Sequence, residues 1–149
     1  MQTPNPDYHD FVASVFDNAR FIKDLGIKLN DVGPGWCETV LTVQEKHLQQ
    51  DGFVHAGVLA TMADHTAGAC TGTVVPADKL VLTVEFKINF LRPAHTDALR
   101  CRADILKAGK TIIVAESEVY ARHEAHEKLV AKAMLTLAVV AGDKRQASP

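Results

Sequence analysis

The stretch Gln49-Gln50-Asp51-Gly52-Phe53-Val54-His55-Ala56-Gly57-Val58-Leu59-Ala60-Thr61-Met62-Ala63-Asp64 runs from a polar loop into an apolar helix carrying one acid. Asp64 stands nine residues beyond His55, between two and three helical turns inside. Val58, Leu59, Met62, Ala63, Ala67, Ala69 and Cys70 make this helix apolar on nearly every side, which predicts burial. A carboxylate on a buried helix is costly unless it is paired, hydrogen-bonded or used. The start of the same helix offers unpaired backbone N–H groups and a positive dipole end to a negative oxygen. One short segment therefore combines an anion-receiving helix start with a carboxylate.

Outward from this segment the chain reads as one domain over residues 1–149. Phe11, Val15, Ala19 and Ile22 recur at helical spacing, predicting an N-terminal helix over about 7–24 that Gly26 stops. Ile27 to Asn30 and Trp36 to Val43 read as a hairpin around Gly33-Pro34-Gly35. The central helix should end near Gly72. Beyond it, Leu80, Leu82, Val84, Phe86, Ile88 and Phe90 alternate with Val81, Thr83, Glu85, Lys87 and Asn89, a long period-2 strand. Further strands are predicted at Ala98 to Leu106, Thr111 to Tyr120 and Leu129 to Val140, with a charged turn at Arg122 to Lys128. The core thus spans about 25–141, and the polar residues 142–149 read as a flexible tail. Two strands, a buried helix and four strands with short links give an α+β class with an antiparallel sheet.

Composition excludes several functions. A net charge of −2 makes no electrostatic case for nucleic-acid binding, and 47% hydrophobic with 23% charged residues is ordinary for a globular protein. Cys37, Cys70 and Cys101 are odd in number and widely spaced, which suits reduced thiols in the cytoplasm. No apolar run is long enough to span a bilayer, so no membrane role is expected. His123-Glu124-Ala125-His126-Glu127 lacks the His-Glu-x-x-His spacing and reads as a solvated charge cluster, with no metal site.

Gln49, Gly52, His55-Ala56-Gly57 and Asp64 together resemble the motif of hotdog-fold acyl-CoA thioesterases, specifically the PaaI-like (phenylacetic acid degradation) subgroup. There an Asn or Gln and a glycine precede His-Gly-Gly at a helix start, and an Asp follows on the helix. Leu82 to Ala94, ending in Arg92-Pro93-Ala94, resembles that family's long strand, and the similarity covers about Leu25 to Val140. Ala56 departs from the first glycine of the doublet, and Gln49 from the commoner Asn.

The resemblance implies a hotdog fold, an antiparallel sheet wrapped around a central helix. It also implies a homodimer or homotetramer with sites between subunits, and hydrolysis of acyl-CoA to free acid and coenzyme A. Asp64 is then base or nucleophile, Ala56 and Gly57 amides are oxyanion donors, and His55 orients the loop. Gln49 and Thr83 align substrate and water. No metal or bound cofactor is implied, coenzyme A arriving as part of the substrate. Arg92, Arg100 and Arg102 are candidates for its phosphates. Two other readings stand beside this one: a hotdog hydratase or dehydratase using His55 with Asp64, and a non-catalytic acyl-CoA-binding protein.

Overall fold

A computed structural model describes residues 1–142. Two helices, α1 (Tyr8–Asn18) and α2 (Arg20–Leu25), lead into strands β1 (Lys28–Gly33) and β2 (Trp36–Thr42). A single 3-10 turn (Glu45–His47) and a loop reach helix α3 (Ala56–Thr71). Strands β3 (Lys79–Phe90), β4 (Ala98–Ala108), β5 (Ile112–His123) and β6 (His126–Ala141) complete one sheet of order β1-β2-β4-β5-β6-β3. Every neighbouring pair is antiparallel. The sheet curls around α3, the expected hotdog arrangement.

Packing explains the curl. Ala103, Ala115, Ala121, Ala131 and Ala133 are buried on the sheet's inner face, and their small side chains let the helix approach closely. From α3, Val58, Leu59, Met62, Ala63, Ala67 and Cys70 fill the space. Two hydroxyls tie helix to sheet inside this apolar contact. Ser117 Oγ donates to the Ala63 carbonyl at 2.8 Å. Thr66 Oγ1 donates to its own helix at Met62 O (2.6 Å), so the 2.7 Å Thr39–Thr66 contact must have Thr39 as donor.

Three expectations need correcting. The N-terminal helix over 7–24 is two helices, because Ala19 leaves the helical region at ψ 89°. Gly26 does stop α2, in the left-handed conformation at φ 85°. The expected turn at Arg122 to Lys128 is mostly strand, with only Glu124 and Ala125 between β5 and β6. Glu124 sits at φ 47°, as tight hairpin turns require.

The third correction concerns β3, whose strict alternation is broken. Thr83 pairs with Leu137 and Glu85 with Thr136, so Val84 is an extra, bulged residue. Leu137 and Leu135 face the core, and their partners Thr83 and Phe86 therefore share the helix-facing side. The bulge places Thr83 on that side together with Phe86, Ile88 and Phe90. β3 is also an edge strand, and its Leu82 and Val84 are 60% and 61% exposed. Of the expected tail, Gly142 donates to the Asp78 carbonyl, and 143–149 lie outside the described residues.

His47 braces the loop before α3. It is buried; its Nδ1 accepts from the Gln44 N–H at 2.8 Å, and Nε2 donates to the Leu25 carbonyl at 2.7 Å. The His47 carbonyl in turn receives the His55 N–H. Replacing His47 with Ala removes both bonds and hollows out a buried position, at about 2–4 kcal/mol. Thermal unfolding should show Tm lower by roughly 5–15 °C, with His47→Gln recovering part of the loss.

Candidate active site

The helix start is built by its own cap. His55 is extended (φ −61°, ψ 136°), and its Nδ1 accepts the Gly57 N–H at 2.8 Å. A Cβ on Gly57 would fall 3.0 Å from that nitrogen, so glycine at this position makes room for the cap. With Nδ1 occupied as acceptor, the neutral ring carries its proton on Nε2. The Val58 N–H bonds the His55 carbonyl. Among the described residues nothing accepts the Ala56 N–H, and Ala56 is exposed. Of the two expected oxyanion donors, one is thus engaged by His55 and one is open.

Gln49 lies in the preceding loop, where Gly52 takes φ 84°. Its Oε1 accepts the Asp51 N–H, and its backbone N–H bonds the Phe53 carbonyl. Because the oxygen is engaged, the end that Gln49 offers outward is its NH2 donor. Gln49, His55, Ala56, Leu59, Phe90 and Arg92 line one cavity of about 580 Å³ at the helix start.

Asp64 is half-buried on the flank of α3 that faces β3. Thr83 Oγ1 donates to its Oδ1 at 2.7 Å, the bond the bulge in β3 makes reachable. One oxygen of the carboxylate is held and the other has no partner among the described residues. Asp64 lines two further cavities, of about 280 Å³ with Ala60, Thr61 and Phe86, and about 470 Å³ with Gly68 and Val81. The three cavities follow the seam between α3 and the edge strand β3, which run in opposite directions. The structure brings Asp64 together with Thr83, and Gln49 with His55 and Ala56. It does not bring the two groups together within one chain: Ala56 and Asp64 are eight residues, about 12 Å, apart along the helix.

Other groups fall into place around them. His65 adjoins Asp64, its ring edge-to-face with Phe16 at 4.8 Å, and its buried Nε2 has no partner among the described residues. Burial holds its pKa below the ordinary 6.5, although the Asp64 carboxylate pulls the other way. The cysteines are free and buried, and burial pushes the Cys101 thiol up to about 12, too high for a neutral-pH nucleophile. Arg100 and Arg102 lie on the sheet's outer face. They pair with Glu38, Glu127 and Asp104 and stack on Tyr120 and Trp36. Of the three arginines only Arg92 lines a seam cavity, with Nη1 anchored on the Leu129 carbonyl at 2.8 Å. No group of three potential ligands for a metal ion occurs among the described residues. No helix among them is long and apolar enough to cross a membrane.

Comparison with known proteins decides the family. Residues 51–127, from the loop through β5 to the start of β6, match the family model described as thioesterase superfamily. The chain belongs to the thioesterase superfamily. It is 31% identical to a putative esterase of Saccharolobus solfataricus over 124 residues, covering 83% of this chain and 86% of that protein. It is 28% identical to the 1,4-dihydroxy-2-naphthoyl-CoA hydrolase of Listeria monocytogenes over 115 residues, covering 77% and 91%. A thioesterase family protein from Silicibacter pomeroyi shares the structure at TM-score 0.88 and 32% identity, over 91% of this chain and 99% of that one. This member of the superfamily therefore has the hotdog fold of esterases and thioesterases.

The sequence reading passed over His65, Phe86 and Gly68 as parts of the seam. Helical spacing from Asp64 signals Gly68, and period-2 alternation already puts Phe86 on the face of Ile88 and Phe90; Thr83 is the residue that needs the bulge to join them. His65 also makes stability depend on pH. Its folded pKa is lowered, so as pH falls below 6.5 the unfolded chain gains a proton sooner than the native one, and stability drops. The Tm loss between pH 7.5 and 5.5 should be smaller for His65→Leu than for the unmodified chain.

Proposed function

We propose that this chain is a cytoplasmic, PaaI-like acyl-CoA thioesterase that hydrolyses its substrate to free acid and coenzyme A. The observation that carries the reading is the Asp64 carboxylate, held at one oxygen by Thr83 and bordering the seam cavities. The similarity to the Listeria relative, a hydrolase of an aromatic acyl-CoA, supports it.

In this mechanism the free Asp64 oxygen takes a proton from water as the water oxygen attacks the thioester carbon. The carbonyl oxygen becomes an oxyanion, which the Ala56 N–H receives with the dipole of α3 behind it. The Gln49 NH2 is a second donor on the same side. Collapse re-forms the carbonyl and expels the thiolate, which recovers the proton from Asp64. No step draws on a metal or prosthetic group. The His55 cap argues against the hydratase reading, since its Nδ1 lone pair is committed to Gly57 and Nε2 presents a proton. A purely binding role gives the oriented carboxylate no task.

A carbonyl oxygen and its carbon are too close together for groups about 12 Å apart on one helix to serve both. The open edge of β3, with Leu82 and Val84 exposed, is where a second copy supplies the missing half. Phe86 and Phe90, 39% and 48% exposed, extend that apolar edge. The active unit is thus a homodimer, which a second pairing extends to a tetramer.

Thiol release from a panel of acyl-CoA substrates tests the activity, and its absence for every acyl group would overturn the reading. Asp64→Asn should lower turnover by about 10²–10⁴ while the fold persists. Ala56→Pro removes the open N–H and should cost about 10²–10³. His55 already has the extended backbone a following proline demands, so that variant should fold. Mixing the two inactive variants and letting subunits exchange should restore about a quarter of normal activity, since half the dimers carry one intact site. Two inactive proteins that stay inactive when mixed would place both groups in one chain.

A further inference from the structure

One turn beyond Asp64, on the same face of α3, stands Gly68. Glycine inside a helix is disfavoured relative to alanine, and Gly68 has no positive φ to require it. A Cβ built there meets no atom of a neighbouring element within 4 Å. Gly72, at the end of the same helix, is different: its Cβ would fall 2.8 Å from Phe11 Cδ1. The chain's own packing explains Gly72 and leaves Gly68 unexplained.

What lies in front of Gly68 is the cavity of about 470 Å³, a size typical of small-molecule sites. Asp64 and Thr83 stand at one end. Phe11 and Val15 from α1 roof it, and Ala69, Val75 and Val81 supply further apolar wall. From the carbonyl position beside Asp64 this cavity leads toward the C-terminal end of α3. The Arg92 cavity lies at the opposite, N-terminal end of the seam.

We infer that the cavity roofed by α1 receives the acyl group of the substrate, an apolar chain of medium length or one bearing a single aromatic ring. Gly68 sets its width at the first carbons beyond the carbonyl. The inference deepens the thioesterase reading and rests on it for its activity readout. Each methylene seated among these walls should raise kcat/KM about fourfold. A methyl group at position 68 occupies the space those first carbons need.

The test compares Gly68→Ala and Gly68→Leu with the unmodified enzyme on acetyl-, hexanoyl-, octanoyl- and phenylacetyl-CoA. Gly68→Ala should raise Tm by about 2–4 °C through helix propensity. At the same time the ratio of kcat/KM for hexanoyl- over acetyl-CoA should fall at least tenfold, roughly the discrimination a methylene-sized misfit produces, with a further fall in Gly68→Leu. A stabilised Ala variant with an unchanged ratio would overturn the inference. So would an equal loss for every acyl length, which would mean that Gly68 acts on Asp64. A weakened dimer in sedimentation with the ratio unchanged would assign the space to the second copy. If the unmodified protein releases thiol from no substrate, the thioesterase reading falls by itself. The cavity is then read by calorimetry with the unreactive thioether S-hexyl-coenzyme A. Binding about tenfold weaker to Gly68→Ala supports the acyl site, and equal binding sinks it.

Discussion

The contact between α3 and the inner face of the sheet is the constraint on which the rest depends. The helix is nearly all apolar and must be wrapped, and the alanines of β4, β5 and β6 allow the sheet to close around it. The helix is not free to rotate in this sleeve. Ser117 and Thr39 fix its angle through the Ala63 carbonyl and Thr66, both immediate neighbours of the Asp64 turn. A rotation of one residue, about 100°, would bury Asp64 against the alanines. Hydroxyls rather than bulk therefore decide that the carboxylate emerges at the flank.

That flank is where the sheet runs out. β3 has a partner on only one side, so the seam between it and α3 stays open and carries three cavities. The bulge at Val84 lets the strand keep Phe86, Ile88 and Phe90 over the helix while still turning Thr83 toward Asp64. Without the bulge, parity would send Thr83 and Phe86, three residues apart, to opposite faces. A local irregularity in one strand thus reconciles a packing need with a chemical one, a common use of bulges beside functional sites.

The two ends of α3 divide the labour. The N-terminal end is polar and held by short-range bonds: His47 braces the loop, His55 caps the helix, and Gly57 gives the cap its room. These bonds leave the Ala56 amide as the open donor on the positive end of the dipole. The cavity along the C-terminal half is mostly apolar and roofed by α1, with His65, Thr71 and Lys79 as its polar members beyond Asp64 and Thr83, and such walls favour hydrocarbon. A thioester, polar at its carbonyl and apolar along its acyl chain, matches this gradient.

Much of this was legible in the sequence because it is local. The helix over residues 56–71 follows from its largely apolar run, its start from His55, and the antiparallel order from short links between period-2 segments. Gly26 and Asp64 announce themselves by chemistry that fails to fit their surroundings. What the linear pattern hid is what depends on partners far along the chain. Alternation in β3 reads cleanly as letters, yet its pairing with β6 inserts a bulge that period counting cannot see. Arg100 and Arg102 read as candidates for the coenzyme A phosphates until β2 and β6 bring Glu38 and Glu127 beside them. The motif placed Asp64 and Ala56 in one segment, and only the packing of α3 against β3 showed that they border separate cavities of one seam. Sequence determined which groups exist and what each can do, because side-chain chemistry and helix periodicity are carried by neighbours. Tertiary structure decided which groups meet, because register, parity and the free edge of the sheet are properties of pairing between segments distant in the chain.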